Sequence, residues 1–222
     1  MTSGDVHGTV SIAVDDVRLN GLLNVPADAR GIVLFAHGSG SSRLSPRNTY
    51  VASRLRENGL ATLLFDLLTA GEERIDVETG RLRFDIPLLT ARLVVATLWV
   101  QAQGQLHHLP LGYFGASTGA AAALSAAARL PSVGAVVSRG GRPDLAGAAL
   151  AEVRSPTLLI VGGDDFQVLH LNRQALAQLH CEAHLEIVPH ATHLFEEAGA
   201  LEQVAALAAQ WLARHLGPPA RP

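Results

Sequence analysis

The stretch Gly-Ala-Ser-Thr-Gly at 115–119 has the pattern G-x-S-x-G, which can hold a serine hydroxyl on a sharp turn between a strand and a helix. An apolar run at 111–114 precedes it, and an alanine-rich segment at 118–130 follows it. Glycine on both sides leaves room for a strained backbone, and the start of a helix favours negative charge on an oxygen. The pattern predicts Ser117 as a nucleophile and the Thr118 N–H as an oxyanion donor. The alternative is a tight junction whose small residues only permit close packing.

A serine nucleophile needs a histidine to take its proton and a carboxylate to orient that histidine. Downstream of the serine, an apolar run ends in Asp164 and Asp165, and His190 and His193 follow the last apolar run. Either aspartate could be the acid, and the other would be a turn residue that bonds its own backbone. His190 lies nearer the predicted strand, so His193 is better placed in a loop. A metal site on the two histidines lacks a third ligand and an H-E-x-x-H pattern, so we expect none.

The segment His37-Gly-Ser39-Gly follows the first fully apolar run. A backbone donor at such a position can complete an oxyanion hole, so the Ser39 N–H is the second predicted donor. For His37 we expect a structural role in orienting this loop rather than a role as base. The alternative for the glycines is an ordinary turn after a strand.

Two arginines, Arg139 and Arg142, follow another predicted strand end in Ser-Arg-Gly-Gly-Arg-Pro-Asp. Guanidinium groups bind carboxylates and phosphates well, so these residues could favour an anionic group on the substrate. The alternative is that they are surface residues or members of structural ion pairs.

Apolar patterning predicts the elements that hold these residues. Alternating positions at 6–14 and 17–25 predict an antiparallel hairpin of edge strands. Continuous apolar runs predict strands buried on both faces, at 31–38, 60–66, 109–117, 133–138, 156–165 and 184–190. Helical segments between them are predicted at 46–58, 86–103, 118–130, 169–179 and 201–216.

This alternation predicts a mostly parallel sheet of about eight strands with helices on both faces, in one domain spanning 1–216. The tail at 217–222 is expected to be disordered. The connection at 67–83 is predicted to be a long irregular loop on the substrate side. Little material remains between 133 and 156 for a large lid, so we expect an open site.

Composition excludes several kinds of chemistry. All 17 basic residues counted as lysine or arginine are arginines, which removes Walker A lysines, Schiff bases and Ser-Lys dyads. Cys181 is the one cysteine, so no internal disulfide can form and a cytoplasmic location is expected. The formal charge of -3 gives no reason to expect nucleic acid, and no apolar stretch reaches the length that would cross a membrane. We expect a small-molecule partner and no cofactor; the sequence leaves the oligomeric state open.

Taken together, these residues resemble the dienelactone-hydrolase-like branch of the α/β-hydrolase superfamily from about residue 31 to 216. The segments that carry the resemblance are HGSGSS, SPRN at 45–48, LLFDLLT, RFD at 83–85, GASTGAAAAL, SRGGRPDLA, LLIVGGDD and ATHLFEE. The resemblance implies the α/β-hydrolase fold. It also implies that Asp165, which closes G-x-x-D, is the acid and that His193 is the base.

The resemblance implies a hydrolase that cleaves small esters or lactones through an acyl-enzyme. Dienelactone hydrolases proper use a cysteine nucleophile, whereas Ser117 stands here, so the likeness implies fold and mechanism more than a dienelactone substrate. A thioesterase or acyltransferase on the same triad, or a binding protein that has kept the fold, are the alternatives. A haloalkane dehalogenase would need a carboxylate in place of Ser117.

Overall fold

The computed structural model describes residues 6–217, so the predicted tail, apart from its first residue, lies outside the described residues. The strands are β1 (Val6–Val14), β2 (Val17–Val25), β3 (Gly31–Ala36), β4 (Leu60–Phe65), β5 (Leu111–Ala116), β6 (Val133–Arg139), β7 (Thr157–Gly162) and β8 (Ala183–Val188). The α-helices are α1 (Pro46–Glu57), α2 (Ala70–Thr79), α3 (Ile86–Ala102), α4 (Thr118–Arg129), α5 (Phe166–Leu176) and α6 (Ala200–Leu216). Two 3-10 segments, Leu82–Phe84 and Pro143–Glu152, complete the set.

The eight strands form one sheet in the order β1-β2-β4-β3-β5-β6-β7-β8. The pairs β1/β2 and β2/β4 are antiparallel and the remaining pairs are parallel, so the predicted mostly parallel sheet with an antiparallel start is confirmed. The prediction that both hairpin strands are edge strands is wrong for β2, because Gly21–Asn24 pairs with Thr62–Phe65 of β4.

Two apolar layers cover the two faces of the sheet. Helices α1 and α6 pack on one face, where Leu55 and Leu212 are fully buried. Helices α3 and α4 pack on the other, where Leu93 and Leu124 are fully buried. The central strands β3, β4, β5 and β7 are buried along their whole length, as continuous apolar runs predict.

Strand β8 departs from the prediction of a strand buried on both faces. It is the outer strand after β7, and only Val188 of its six residues is buried. The run contains the polar residues His184 and Glu186, which agrees with the exposure of this strand to solvent. Such a strand ends the sheet rather than continuing it.

The predicted irregular loop at 67–83 contains helix α2, and this prediction was wrong. Thr69 and Glu72 form a capping box at its start, and Gly80 ends it with φ 64°. Ile75 and Val77 are 58% and 70% exposed, so the helix lacks the apolar periodicity that sequence patterning detects. Local hydrogen bonds rather than a buried apolar face define it.

Polar contacts tie α2 to its surroundings. Arg92 of α3 donates to both carboxylate oxygens of Glu72 at 2.5 and 2.7 Å, and these bonds lower the pKa of Glu72 to about 2. The buried carboxylate of Asp76 accepts from the N–H groups of Leu82 and Arg83 and from the Arg83 side chain. The segment at 67–83 is therefore ordered by polar contacts with α3 and with the start of the Leu82–Phe84 segment.

Candidate active site

Ser117 occupies the turn between β5 and α4, as predicted, with φ 50° and ψ -122°. A non-glycine residue with this backbone costs about 1–3 kcal/mol and persists only where the surroundings hold it. Two backbone hydrogen bonds do so. The Ser117 N–H donates to Arg139 O at 3.3 Å, and the Arg142 N–H donates to Ser117 O at 3.0 Å.

The glycines around Ser117 are sterically required. A Cβ atom on Gly119 would lie 2.1 Å from Ala36 O, and one on Gly115 would lie 2.5 Å from Ala120 Cα. Both contacts are with backbone, which cannot move as a flexible side chain does. The close approach of helix α4 to the end of β3 therefore depends on the absence of these side chains.

We expect Gly119→Ala to destabilise the fold by about 3 kcal/mol or more, because overpacking against backbone forces the elements apart. Thermal denaturation followed by circular dichroism measures this. Gly104→Ala is the matched control: a Cβ there would meet nothing within 4 Å, so we expect a melting temperature close to that of the wild type. Equal stability of the two variants would contradict the steric account.

The predicted base and acid meet at the carboxyl end of the sheet. His193 Nδ1 and Asp165 Oδ2 are 2.7 Å apart, and the carboxylate of Asp165 is largely buried. The neighbouring Asp164 uses its N–H to bond Ala191 O, and its carboxylate makes no hydrogen bond within residues 6–217. His190 lies in the turn after β8 with φ 59° and contacts neither carboxylate by a hydrogen bond. Of the two aspartates and the two histidines, the structure joins Asp165 and His193 by a hydrogen bond.

Ser117 and His193 both lie against the loop that follows β6. A Cβ on Gly140 would be 3.1 Å from His193 O and 3.5 Å from His193 Nδ1, while the flanking residues Arg139 and Arg142 bond the Ser117 backbone. The Ser117 hydroxyl makes no hydrogen bond within the described chain. Both residues therefore contact the same loop, and no hydrogen bond within the described chain joins them; catalytic hydrogen bonds are often long before substrate binds.

The two predicted oxyanion donors also lie together. Ser39 Oγ and Thr118 Oγ1 are 3.1 Å apart, which fixes the loop after β3 against the start of α4. Gly38 approaches the serine so closely that a Cβ there would be 2.9 Å from Ser117 Cβ. Among residues 6–217, no acceptor bonds the N–H of Ser39 or of Thr118. Both N–H groups therefore lack an acceptor within the described chain, as the predicted role requires.

His37 has the structural role that we expected. It is buried, its Nε2 accepts the Leu67 N–H at 2.9 Å, and its Nδ1 lies 3.0 Å from Gly38 O. These bonds require a neutral ring with the proton on Nδ1. Burial lowers the pKa of His37. The side chain therefore links the loop that carries Ser39 to the end of β4.

The lowered pKa predicts a pH effect on stability. In the unfolded chain His37 titrates near its ordinary value of 6.5, so protonation below that pH favours unfolding. Stability is full above pH 6.5 and falls as pH drops towards the lower folded pKa. We expect His37→Gln to be less stable than the wild type at pH 8 but to lose less stability between pH 7 and pH 5. Urea unfolding across this range measures both, and equal pH slopes would contradict the role.

The two arginines flagged in the sequence differ. Arg142 forms two hydrogen bonds to Asp144, at 2.8 and 2.7 Å. It is therefore a member of a structural ion pair, which was the alternative to substrate binding. Arg139 is only 8% exposed and has no acidic partner among the described residues. Its Nε and Nη1 atoms are buried without a hydrogen bond.

A cleft of about 690 Å³ opens beside Ser39. Ser39 lines it, together with the Ser-rich loop before α1, Arg47, and Ala70 and Glu73 of α2. The segment at 67–83 therefore faces this cleft, and it does so with helix α2 instead of the predicted irregular loop. Arg47 lies in the SPRN segment at 45–48, but no residue pattern around it gives it a role, so the sequence did not identify it as a candidate site residue. Within residues 6–217, no group of three His, Cys, Asp or Glu side chains could hold a metal ion.

Known proteins share this chain's sequence and fold. A model of the dienelactone hydrolase family matches residues 19–216. The crystal structure of a dienelactone hydrolase from Anabaena variabilis is 58% identical, covers 96% of this chain and 100% of its own, and superposes with a TM-score of 0.94. Est1E from Butyrivibrio proteoclasticus shares the fold at 15% identity and a TM-score of 0.77, over 94% of this chain and 98% of its own.

Two Mycobacterium tuberculosis proteins, from strains CDC 1551 and H37Rv, are each 57% identical over 208 residues. They carry a provisional name as phosphoribosyl transferases, and the match covers 93% of this chain but 46% of theirs. The chain thus spans about half the length of these relatives. No helix in the part described, residues 6–217, is long and apolar enough to cross a membrane.

Proposed function

The chain belongs to the dienelactone hydrolase family, and from this we propose that it is a serine hydrolase that cleaves small esters or lactones. One observation carries the proposal: His193 is hydrogen-bonded to Asp165 and contacts the same loop after β6 as Ser117, whose backbone is held at φ 50°. A serine in this strained turn, with an imidazole oriented by a carboxylate, fits acyl transfer.

In the proposed mechanism, Ser117 Oγ attacks the acyl carbonyl while His193 Nε2 takes its proton. Asp165 accepts the Nδ1 hydrogen bond, which holds the useful tautomer and stabilises the imidazolium. The N–H groups of Ser39 and Thr118 stabilise the oxyanion. His193 then protonates the leaving alcohol, and water, activated by the same base, hydrolyses the acyl-enzyme.

The shape of the site supports small, soluble substrates. The cleft is open to solvent and lined mostly by polar residues of the loop before α1 and the first turns of α2. Long acyl chains would find little apolar surface there. Dienelactone hydrolases proper use a cysteine nucleophile, whereas this chain has Ser117. We therefore do not propose a dienelactone as the substrate.

Thioester cleavage or acyl transfer on the same residues is the second candidate, since only the acyl donor and acceptor differ. The open cleft favours water as the acceptor. The provisional name of the mycobacterial relatives belongs to proteins about twice as long, and the hydrolase proposal concerns only the part that matches this chain.

A panel of acyl-chain lengths and lactones, assayed for alcohol and acid release, tests the proposal. We expect short esters to be cleaved with equal amounts of both products. Added alcohols or thiols that divert most of the acyl group would instead indicate a transferase. A fluorophosphonate that fails to label Ser117 would support a binding protein that has kept the fold.

A further inference from the structure

Arg139 is buried at the end of β6 without a counter-charge, directly beside the proposed nucleophile. Its strand position is paired with Ala116, the residue before Ser117, and its carbonyl accepts the Ser117 N–H. Neither a carboxylate nor a carbonyl bonds its guanidinium within residues 6–217. A buried, unpaired charge destabilises a fold strongly, so residues of this kind mark sites where function requires them.

A second arginine faces the same region. Arg139 shares its sheet face with α1, and the charge of Arg47, in the first turn of that helix, helps burial to lower the pKa of Arg139 to about 10. The Nε of Arg47 is also buried without a partner, and the one ion pair that Arg47 makes within residues 6–217 is at 3.2 Å to the exposed Glu196. The two cations repel each other, and the guanidinium of Arg139 keeps its charge without an acidic partner within residues 6–217.

The remaining surroundings supply hydrogen-bond donors for an anion. Arg47 lines the open cleft together with Ser39, Ser41 and Ser42, and two carboxylates also line it: that of Asp66, which Arg43 pairs, and that of Glu73. Of the three hydroxyls, that of Ser41 makes no hydrogen bond within the described chain, and that of Ser42 only accepts one, from the Leu44 N–H. Two guanidinium groups and these hydroxyls offer more hydrogen-bond donors than the two oxygens of a carboxylate can use. A phosphate has three terminal oxygens and up to two negative charges, so it matches these donors better.

We infer that Arg139 and Arg47 bind a phosphate group on the ester substrate. The inference rests on the proposed esterase function and names its substrate class: small esters with a phosphate on the acyl or the alcohol part. The arginines would set specificity and take no part in bond cleavage. Arg142, which is neutralised by Asp144, would not contribute.

Matched ester series that differ only in a neutral, carboxylate or phosphate group on the acyl or alcohol part test this. For the wild type we expect kcat/KM to rise from neutral through carboxylate to phosphate. Arg139→Gln and Arg47→Gln should each lower the value for the phosphate ester by about tenfold to a hundredfold, since hydrogen bonds to charged groups have that effect. Both variants should leave the neutral ester within about threefold. Arg54→Gln, on the same helix but paired with Glu57, is the control and should change neither.

Stability separates this role from a structural one. Because Arg139 has no partner within residues 6–217 to lose, Arg139→Met should melt at the same or a higher temperature than the wild type while losing the phosphate preference. A variant that unfolds, or that loses neutral and phosphate esters equally, would show that Arg139 supports the fold instead. Equal wild-type rates on neutral and phosphate esters, or a preference for carboxylate over phosphate, would also overturn the inference.

Binding of inorganic phosphate keeps this inference distinct from the proposed function. Calorimetric titration of Ser117→Ala needs no catalysis, and we expect phosphate to bind that variant but not Ser117→Ala combined with Arg139→Gln. If Ser117→Ala still hydrolysed neutral esters, the proposed function would fail whatever the titration showed. If neutral hydrolysis required Ser117 but phosphate did not bind, only the phosphate site would be wrong.

Discussion

Replacing Ser117 with alanine is expected to lower kcat/KM for short esters by about 10⁴-fold or more, because no acyl-enzyme can then form. Initial rates on the best ester of the panel measure the loss, with background hydrolysis subtracted. Covalent labelling by a fluorophosphonate should disappear with the activity. The melting temperature should stay close to that of the wild type, since the side chain makes no hydrogen bond within residues 6–217.

The control for this variant is Ser125→Ala. Ser125 lies two turns further along α4 and is buried, so its loss tests whether any small change in this helix disturbs activity. We expect Ser125→Ala to keep activity and labelling. Substantial esterase activity in Ser117→Ala would contradict the assignment of the nucleophile and with it the mechanism.

Asp165→Asn is expected to lower kcat by about 10³- to 10⁴-fold, because an amide facing Nδ1 stabilises the wrong tautomer of the histidine. His193→Gln should lose at least as much, since it removes the base itself. Steady-state kinetics on the same ester measure both. The amide and the carboxylate have almost the same size, so the geometry of the loop before α5 should survive.

The chain offers matched controls at neighbouring positions. Asp164→Asn and His190→Gln change the same residue types within three positions of the proposed acid and base. Neither side chain hydrogen-bonds the site, so we expect both variants to stay within about threefold of the wild type. A loss in Asp164→Asn as large as that in Asp165→Asn would make the acid assignment wrong.

The central part of the fold was predictable because its strands are uniformly apolar. The sequence runs of β3, β4 and β5 are buried on both faces, and a parallel sheet covered by helices satisfies such runs. The hairpin of β1 and β2 was predictable from alternation around Asp15 and Asp16. In both cases the pattern reflects burial directly.

The elements that were missed are those whose stability is polar or local. Helix α2 is defined by its capping box and by the hydrogen bonds of Asp76. Its Ile75 and Val77 are exposed, so the helix lacks the buried apolar face by which a sequence usually predicts a helix. The spacing from Thr69 to Glu72 is a capping-box signature that could have revealed the helix start. The edge position of β8 depends on which strand lies outermost, and that is a property of the whole sheet.

The residues of the candidate site also differ in how far a local sequence pattern predicts them. Ser117 follows from a local motif in the right context, so it could be predicted from residues alone. The choice between Asp164 and Asp165 depends on backbone direction in one turn, and the residues by themselves left it open. Arg47 comes near Arg139 only through the packing of α1 on the sheet, and no spacing in the sequence encodes that approach.

The unusual backbone of Ser117 is maintained by its neighbours. Bonds from the β6 loop and the contacts of two glycines hold the position, while the hydroxyl contributes nothing to it. Backbone shape and reactive atom are therefore separable features of this scaffold. A Ser117→Cys exchange would therefore place a sulfur on the same turn without any rebuilding of the surrounding protein.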